Sequence, residues 1–277
     1  MQLSQFEQIK SRVLTQKNYK IILKNSHKHF NINDRVVCFF DGKRWNTVKL
    51  NVMLAYPLLY FDFWVEKENT TYVNTLLVCP ITMRSMIYKG RIKIIDVVDD
   101  NLKLYNTDTN DTFMMDSPYT GNNVENIGTK KRIVSHIKRF KVKMTTLKSA
   151  YNYLMDMVYI VPKSSLMQPP IFKIKYYDNR LTYDKKEIKT AIHPKTIVYV
   201  VQYYSFSQKQ YIYTIIIGKD ASKDEVSGYN YKYSGIFEYI DRYKEEYLKK
   251  RAYIYPVFWF MVEKLYPNTT NIIASND

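Results

Sequence analysis

Six short apolar runs follow one another between residues 58 and 115, each of strand length and each closed by turn chemistry. They cover 58–65, 72–79, 83–88, 92–98, 102–106 and 113–115. Runs this short, rich in Ile, Val, Tyr and Phe, suit strands lying against a core better than helices. Gly90, within Lys89-Gly90-Arg91, takes positive φ without steric penalty, and Asp99-Asp100-Asn101 and Asn110-Asp111 carry side chains that hydrogen-bond their own backbone in turns. The pattern predicts a meander of antiparallel strands joined by hairpins, and the remainder of the chain is read around it.

Three motifs punctuate this stretch: Ala55-Tyr56-Pro57-Leu58, then Cys79-Pro80-Ile81-Thr82, then Asn101-Leu102-Lys103-Leu104-Tyr105-Asn106 followed by Thr109, Asp111 and Phe113. In order and spacing they resemble a bacterial domain-of-unknown-function family, number 3179, over about a quarter of the chain. The resemblance implies a fold and brings no activity. It departs at two points: the family's second Cys is Thr82 here, and the His expected after the first motif is replaced by an aromatic segment containing Phe63 and Trp64. A metal or redox role does not carry over.

Charge divides the chain. The net formal charge is +16, and counting Lys and Arg against Asp and Glu gives +7 for residues 1–49, −3 for 50–121, +7 for 122–170 and +5 for 171–277. Basic flanks around an acidic centre suit contact with a polyanion or with an acidic patch on another protein. The most basic stretch, 130–143, holds Lys130, Lys131, Arg132, Lys138, Arg139, Lys141 and Lys143 with no acid among them, interleaved with Ile133, Val134, Ile137, Phe140 and Val142. These seven cations are the candidate polyanion-binding residues; the bland alternative is a solvated cationic face. There are 27 Tyr against 7 Gly, which favours aromatic-lined strands over Gly-rich phosphate loops. The excess of Lys, Asn, Ile and Tyr resembles the composition of large nucleocytoplasmic DNA virus proteins.

Around the meander, Leu3, Phe6, Ile9, Val13 and Leu14 fall near helical spacing behind Ser4, predicting a short amphipathic helix. Residues 19–23 read as a strand, and 36–40 and 45–50 as a hairpin about Asp41-Gly42-Lys43. Thr145 or Thr146 can cap a helix with Leu147, Ala150, Tyr151, Leu154 and Val158 on one face. Pro162 and Pro169-Pro170 mark a boundary. Beyond it, 171–177, 196–204 and 211–217 read as strands, with Ile236, Ile240, Tyr243 and Tyr247 on a helix face and an aromatic run, 253–265, interrupted by Pro256 and either packing into the core or offering a docking surface to a partner. Tyr199, Tyr203, Tyr204, Tyr211 and Tyr213 either pack across strands or offer a stacking surface for bases. The expected class is α+β, mainly antiparallel β: a meander module over 1–160, with its basic element and closing helix, and a smaller sheet-and-helix module over 161–277.

Catalytic signatures are missing: no Walker A, G-x-G-x-x-G, G-x-S-x-G or H-E-x-x-H occurs. Two cysteines, Cys38 and Cys79, fit a reducing compartment and cannot form a four-ligand site. Pairing of Cys79 with His136 or His193 would be needed for a cysteine-dependent enzyme, and Cys79 is instead expected to be structural. His27 and His29 form a His-x-His pair in a polar loop without a third ligand nearby, so neither a metal nor another cofactor is expected. The opening residues lack a cationic segment followed by an apolar core, and no 18-residue apolar run occurs, so a soluble intracellular product without a membrane span is expected, in host cytoplasm or virion. The leading functional expectation is a non-enzymatic structural or assembly protein, such as a component of a large DNA virus particle, with other proteins as partners. The alternative is nucleic-acid binding through 130–143.

Overall fold

Asp41 shows how local chemistry sets the first hairpin in this computed structural model. Its Oδ1 accepts the main-chain N–H of Lys43 and of Arg44, both at 2.9 Å, and its Oδ2 accepts from Asn46 Nδ2 at 2.8 Å. Gly42 completes the turn at φ +101°, and a Cβ there would lie 2.1 Å from the Trp64 carbonyl oxygen. The structure describes residues 7, 9–23, 29–80, 82–98, 101–115, 142–164, 197–205, 207–208, 210–217, 253–259, 262 and 271–274.

In chain order the elements are β1 (Val13–Leu14), β2 (Tyr19–Leu23), β3 (Arg35–Phe40), β4 (Trp45–Lys49), α1 (Leu50–Ala55), β5 (Leu58–Val65), β6 (Thr70–Val78), β7 (Ser85–Lys89), β8 (Ile92–Val98) and β9 (Asn101–Asn106). They continue with β10 (Asp111–Met114), β11 (Val142–Thr146), α2 (Leu147–Tyr153), β12 (Met157–Pro162), β13 (Ile197–Ser205), β14 (Gln210–Ile217), β15 (Tyr253–Phe258) and β16 (Asn271–Ala274). The protein is strand-rich and its sheets are mostly antiparallel.

All six runs of the meander are strands, but they belong to two sheets, ordered β1-β5-β6-β7 and β10-β9-β8. The break is at Gly90, at φ +91°, so β7 and β8 are not a hairpin as expected. Side chains stitch this break. Thr75 Oγ1 donates to the Gly90 carbonyl at 2.6 Å and accepts the Ile92 N–H at 3.1 Å; Tyr60 OH donates to the Ile92 carbonyl at 2.8 Å, and Asn106 Nδ2 to that of Lys89 at 3.0 Å. Val13 and Leu14 are a further correction: they pair in parallel with Leu58 and Leu59 instead of continuing a helix.

A third sheet, ordered β11-β3-β4-β12-β2, unites segments far apart in sequence. One face is covered by α2, whose N-terminus is capped by Thr146 Oγ1 accepting the Ser149 N–H. Leu147, Ala150 and Leu154 pack there against Val36, Cys38, Met157 and Tyr159. Val158, expected on the helix, lies instead on β12, because the chain leaves the helix at Leu154 and reverses through Asp156 at φ +52°. On the opposite face Phe39 meets Phe61 of β5, with ring centroids 4.6 Å apart.

The described residues group into two compact units, and those from 7 to 164 form the first. The second contains the sheet β15-β13-β14-β16. Its β13–β14 hairpin runs from Tyr199↔Ile216 to Ser205↔Gln210. Val198, Val200, Ile215, Tyr255, Val257, Trp259 and Val262 form its core. Pro256 does not break β15, an edge strand among the described residues, because an edge tolerates a missing ladder donor. The expected strand at 171–177 and the expected helix carrying Ile236 and Ile240 lie outside the described residues.

Candidate functional site

Of the seven expected polyanion contacts, Lys130, Lys131, Arg132, Lys138, Arg139 and Lys141 lie outside the described residues. Lys143 is on β11, opposite Cys38, half-buried, and that burial pushes its pKa down. His27, His136 and His193 are also outside the described residues, while His29 is exposed. Of the tyrosines, Tyr199 is buried and Tyr213 packs against the core of its own sheet, while the side chains of Tyr203, Tyr204 and Tyr211 lie outside the described residues.

Cys79 follows β6 inside a tight turn. Its N–H donates to the Arg84 carbonyl at 2.9 Å, its carbonyl accepts the Met83 N–H at 2.7 Å, and its Sγ accepts the Thr82 N–H at 3.4 Å. Met83 takes φ +62° to close the loop, and the Arg84 N–H donates to Thr82 Oγ1 at 3.3 Å. Thr82 and Arg84 are themselves buried. The sulfur therefore works as an acceptor that orders a turn.

Cys38 lies in a row of side chains under α2. Register sets Lys143, Cys38, Thr47, Tyr159 and Ile22 side by side across five strands. Cys38 Sγ is 3.4 Å from Thr47 Oγ1, which also reaches Met157 Sδ at 3.7 Å; the Tyr151 and Tyr159 hydroxyls are hydrogen-bonded, and Phe30 stacks on Tyr159 at 4.3 Å. Burial pushes the Cys38 thiol up to about 12, outweighing the lowering by the Thr47 hydrogen bond and by Lys143. A thiol in that range is protonated at neutral pH and is a poor nucleophile. Burial likewise raises the Tyr159 phenol.

The opposite situation holds at β2, an edge of the same sheet among the described residues. The Lys163 N–H donates to the Asn18 carbonyl at 2.9 Å, at the end of the β2–β12 ladder. Antiparallel pairs alternate between bonded and non-bonded, so Lys20 and Ile22 direct their main-chain groups at β12. Pro162, without an N–H, falls at a non-bonded position opposite Tyr19. It follows that Ile21 and Leu23 turn both N–H and C=O outward. Their side chains are exposed too, Ile21 by 45% and Leu23 by 71%. Among the described residues, ladder groups without a strand partner and exposed aliphatic side chains thus coincide on one short edge, a template for another strand.

Compared with protein-family models, curated proteins and solved structures, this chain matches none. Among the described residues no helix is long and apolar enough to cross a membrane, and no group of three or more His, Cys, Asp and Glu is placed to hold a metal ion. The edge was missed by sequence reading because strand identity does not reveal strand order. No local signal marked it, since Ile21-Ile22-Leu23 places apolar side chains on both faces, the pattern of a strand covered on both sides and not of an exposed edge.

Proposed function

We propose that this chain is a non-enzymatic interaction protein that works as a component of a larger assembly, with the edge of β2 as a contact surface. The observation that carries this reading is the coincidence at Ile21 and Leu23 of outward main-chain groups and exposed aliphatic side chains. The uneven charge, basic at both flanks and acidic over 50–121, supports it, because alternating blocks of charge suit binding to neighbours of opposite sign. In this reading a meander module to about residue 160 and a smaller sheet-and-helix module serve as a scaffold, and the composition suggests a large DNA virus particle as the setting. Co-sedimentation of the full chain with assembled particles tests it. Wild type is expected in the particle fraction and Leu23→Lys is expected to be depleted from it; equal recovery of both would remove the edge from the account.

A second reading, nucleic-acid binding, draws on the seven cations from Lys130 to Lys143 without an intervening acid. A gel-shift titration over a salt series tests it. This reading expects log affinity to fall steeply with log salt, and the slope to shrink when Lys130, Lys131, Arg132, Lys138 and Arg139 are neutralised. No shift at low salt would discard it.

A further inference from the structure

The chemistry of the strand that β2 would accept follows from the side chains beside the open edge, granted the interaction reading above. Successive side chains alternate between the faces of a sheet. Lys20 and Ile22 therefore project to the α2 side, where Ile22 is packed and Lys20 is exposed. Ile21 and Leu23 project to the other side, beside the buried Ile160 and Val158 of β12. Exposed Lys17 and Lys163 stand at the start of the ladder, with Lys163 Nζ donating to the Lys17 and Gln16 carbonyls at 3.0 and 3.4 Å. The acids nearby, Asp41 and Asp62, face Tyr19 at that same end, and Asp62 accepts from Gln16 Nε2 at 2.8 Å. From Lys20 to Leu23 the edge carries one cation and no acid.

We infer that β2 takes an added strand from a partner protein whose extended segment alternates acidic and apolar residues. The main-chain groups of Ile21 and Leu23 supply the ladder bonds. An acidic side chain of the partner meets Lys20 on the α2 side, and its apolar side chains cover Ile21 and Leu23 on the other. In strand addition the ladder gives affinity and alternate side chains give specificity. Charge argues for a partner over a second copy: two β2 strands paired antiparallel about Ile21 would set each Lys20 opposite an Ile22 and would bring together two chains of net charge +16.

The test is a fluorescence-anisotropy titration of the full chain with labelled peptides of alternating Glu and Val, alternating Lys and Val, and alternating Glu and Gly, at about 0.15 M salt. Wild type is expected to bind the Glu–Val peptide at least about tenfold more tightly than either control. Lys20→Glu is expected to reverse the preference toward Lys–Val, and Leu23→Lys to abolish tight binding. If Leu23→Lys weakens Glu–Val binding but Lys20→Glu leaves the preference unchanged, the acidic pattern is wrong and the edge reading survives. If Leu23→Lys changes nothing, the edge reading itself fails. Equal binding of the Glu–Gly peptide would assign capture to overall charge and overturn the inference. A concentration-dependent dimer abolished by Leu23→Lys would give the edge to a second copy and overturn it as well.

Discussion

Cys38 titrates against its surroundings. Its ordinary pKa of 9.0 becomes about 12 in the fold because burial disfavours the thiolate. Between those values the unfolded chain has released the proton and the folded chain still holds it, so stability falls as pH rises, by up to about 1.4 kcal/mol per pH unit. Below about pH 9 both states hold the proton and the contribution is constant. Cys38→Ala is expected to be less stable than wild type by about 2 kcal/mol at pH 7, from lost packing, with the gap closing toward pH 11. Urea unfolding across that range measures it, and parallel curves would show that the thiol is not buried as described. Tyr19, raised from 10.0 to about 12 chiefly by burial and then by Asp62 and Asp41, leaves a residual slope above about pH 10 in both proteins. Gly42 makes a second prediction of this kind. Gly42→Ala forces a Cβ against the Trp64 carbonyl at a positive φ, and a loss of about 3 kcal/mol is expected in the same assay.

Among the elements, β2 carries two exposed aliphatic side chains, Ile21 and Leu23. Leu23→Lys is expected to change thermal or urea stability by no more than about 0.5 kcal/mol, because the side chain leaves little buried area behind. A larger loss in that measurement would mean that Leu23 supports the fold and does not wait for a partner. Elements were legible wherever local pattern decides them. The runs at 58–65 and 92–98 coincide with β5 and β8, and Thr146 caps α2 as its hydroxyl allows. Three features were not legible. Val13 and Leu14 become a strand through a parallel pairing with Leu58 and Leu59 that no local signal announces. Leu50–Ala55 forms a helix without a side-chain cap, so its apolar run reads equally well as strand. Val158 continues the helical spacing, yet the turn at Asp156 hands it to the sheet, a tertiary preference overriding a periodic one. The candidate edge was legible as a strand and not as an edge, since strand order is set by pairing between distant segments.

At the scale of the whole molecule, the first unit is held together by a sheet whose strands come from both ends of its sequence, with β12 between β4 and β2. Closing that sheet leaves β2 outermost among the described strands, and the account rests on its outer side being open. Hydrogen–deuterium exchange of the full chain, read at single amides under native conditions, tests this most directly. The Lys20 and Ile22 amides donate to β12 and are expected to exchange slowly, whereas those of Ile21 and Leu23, directed outward, are expected to exchange orders of magnitude faster. Uniform protection from Lys20 to Leu23 in the isolated chain would show that the edge is already covered, and would contradict the proposal that it is a surface for a partner.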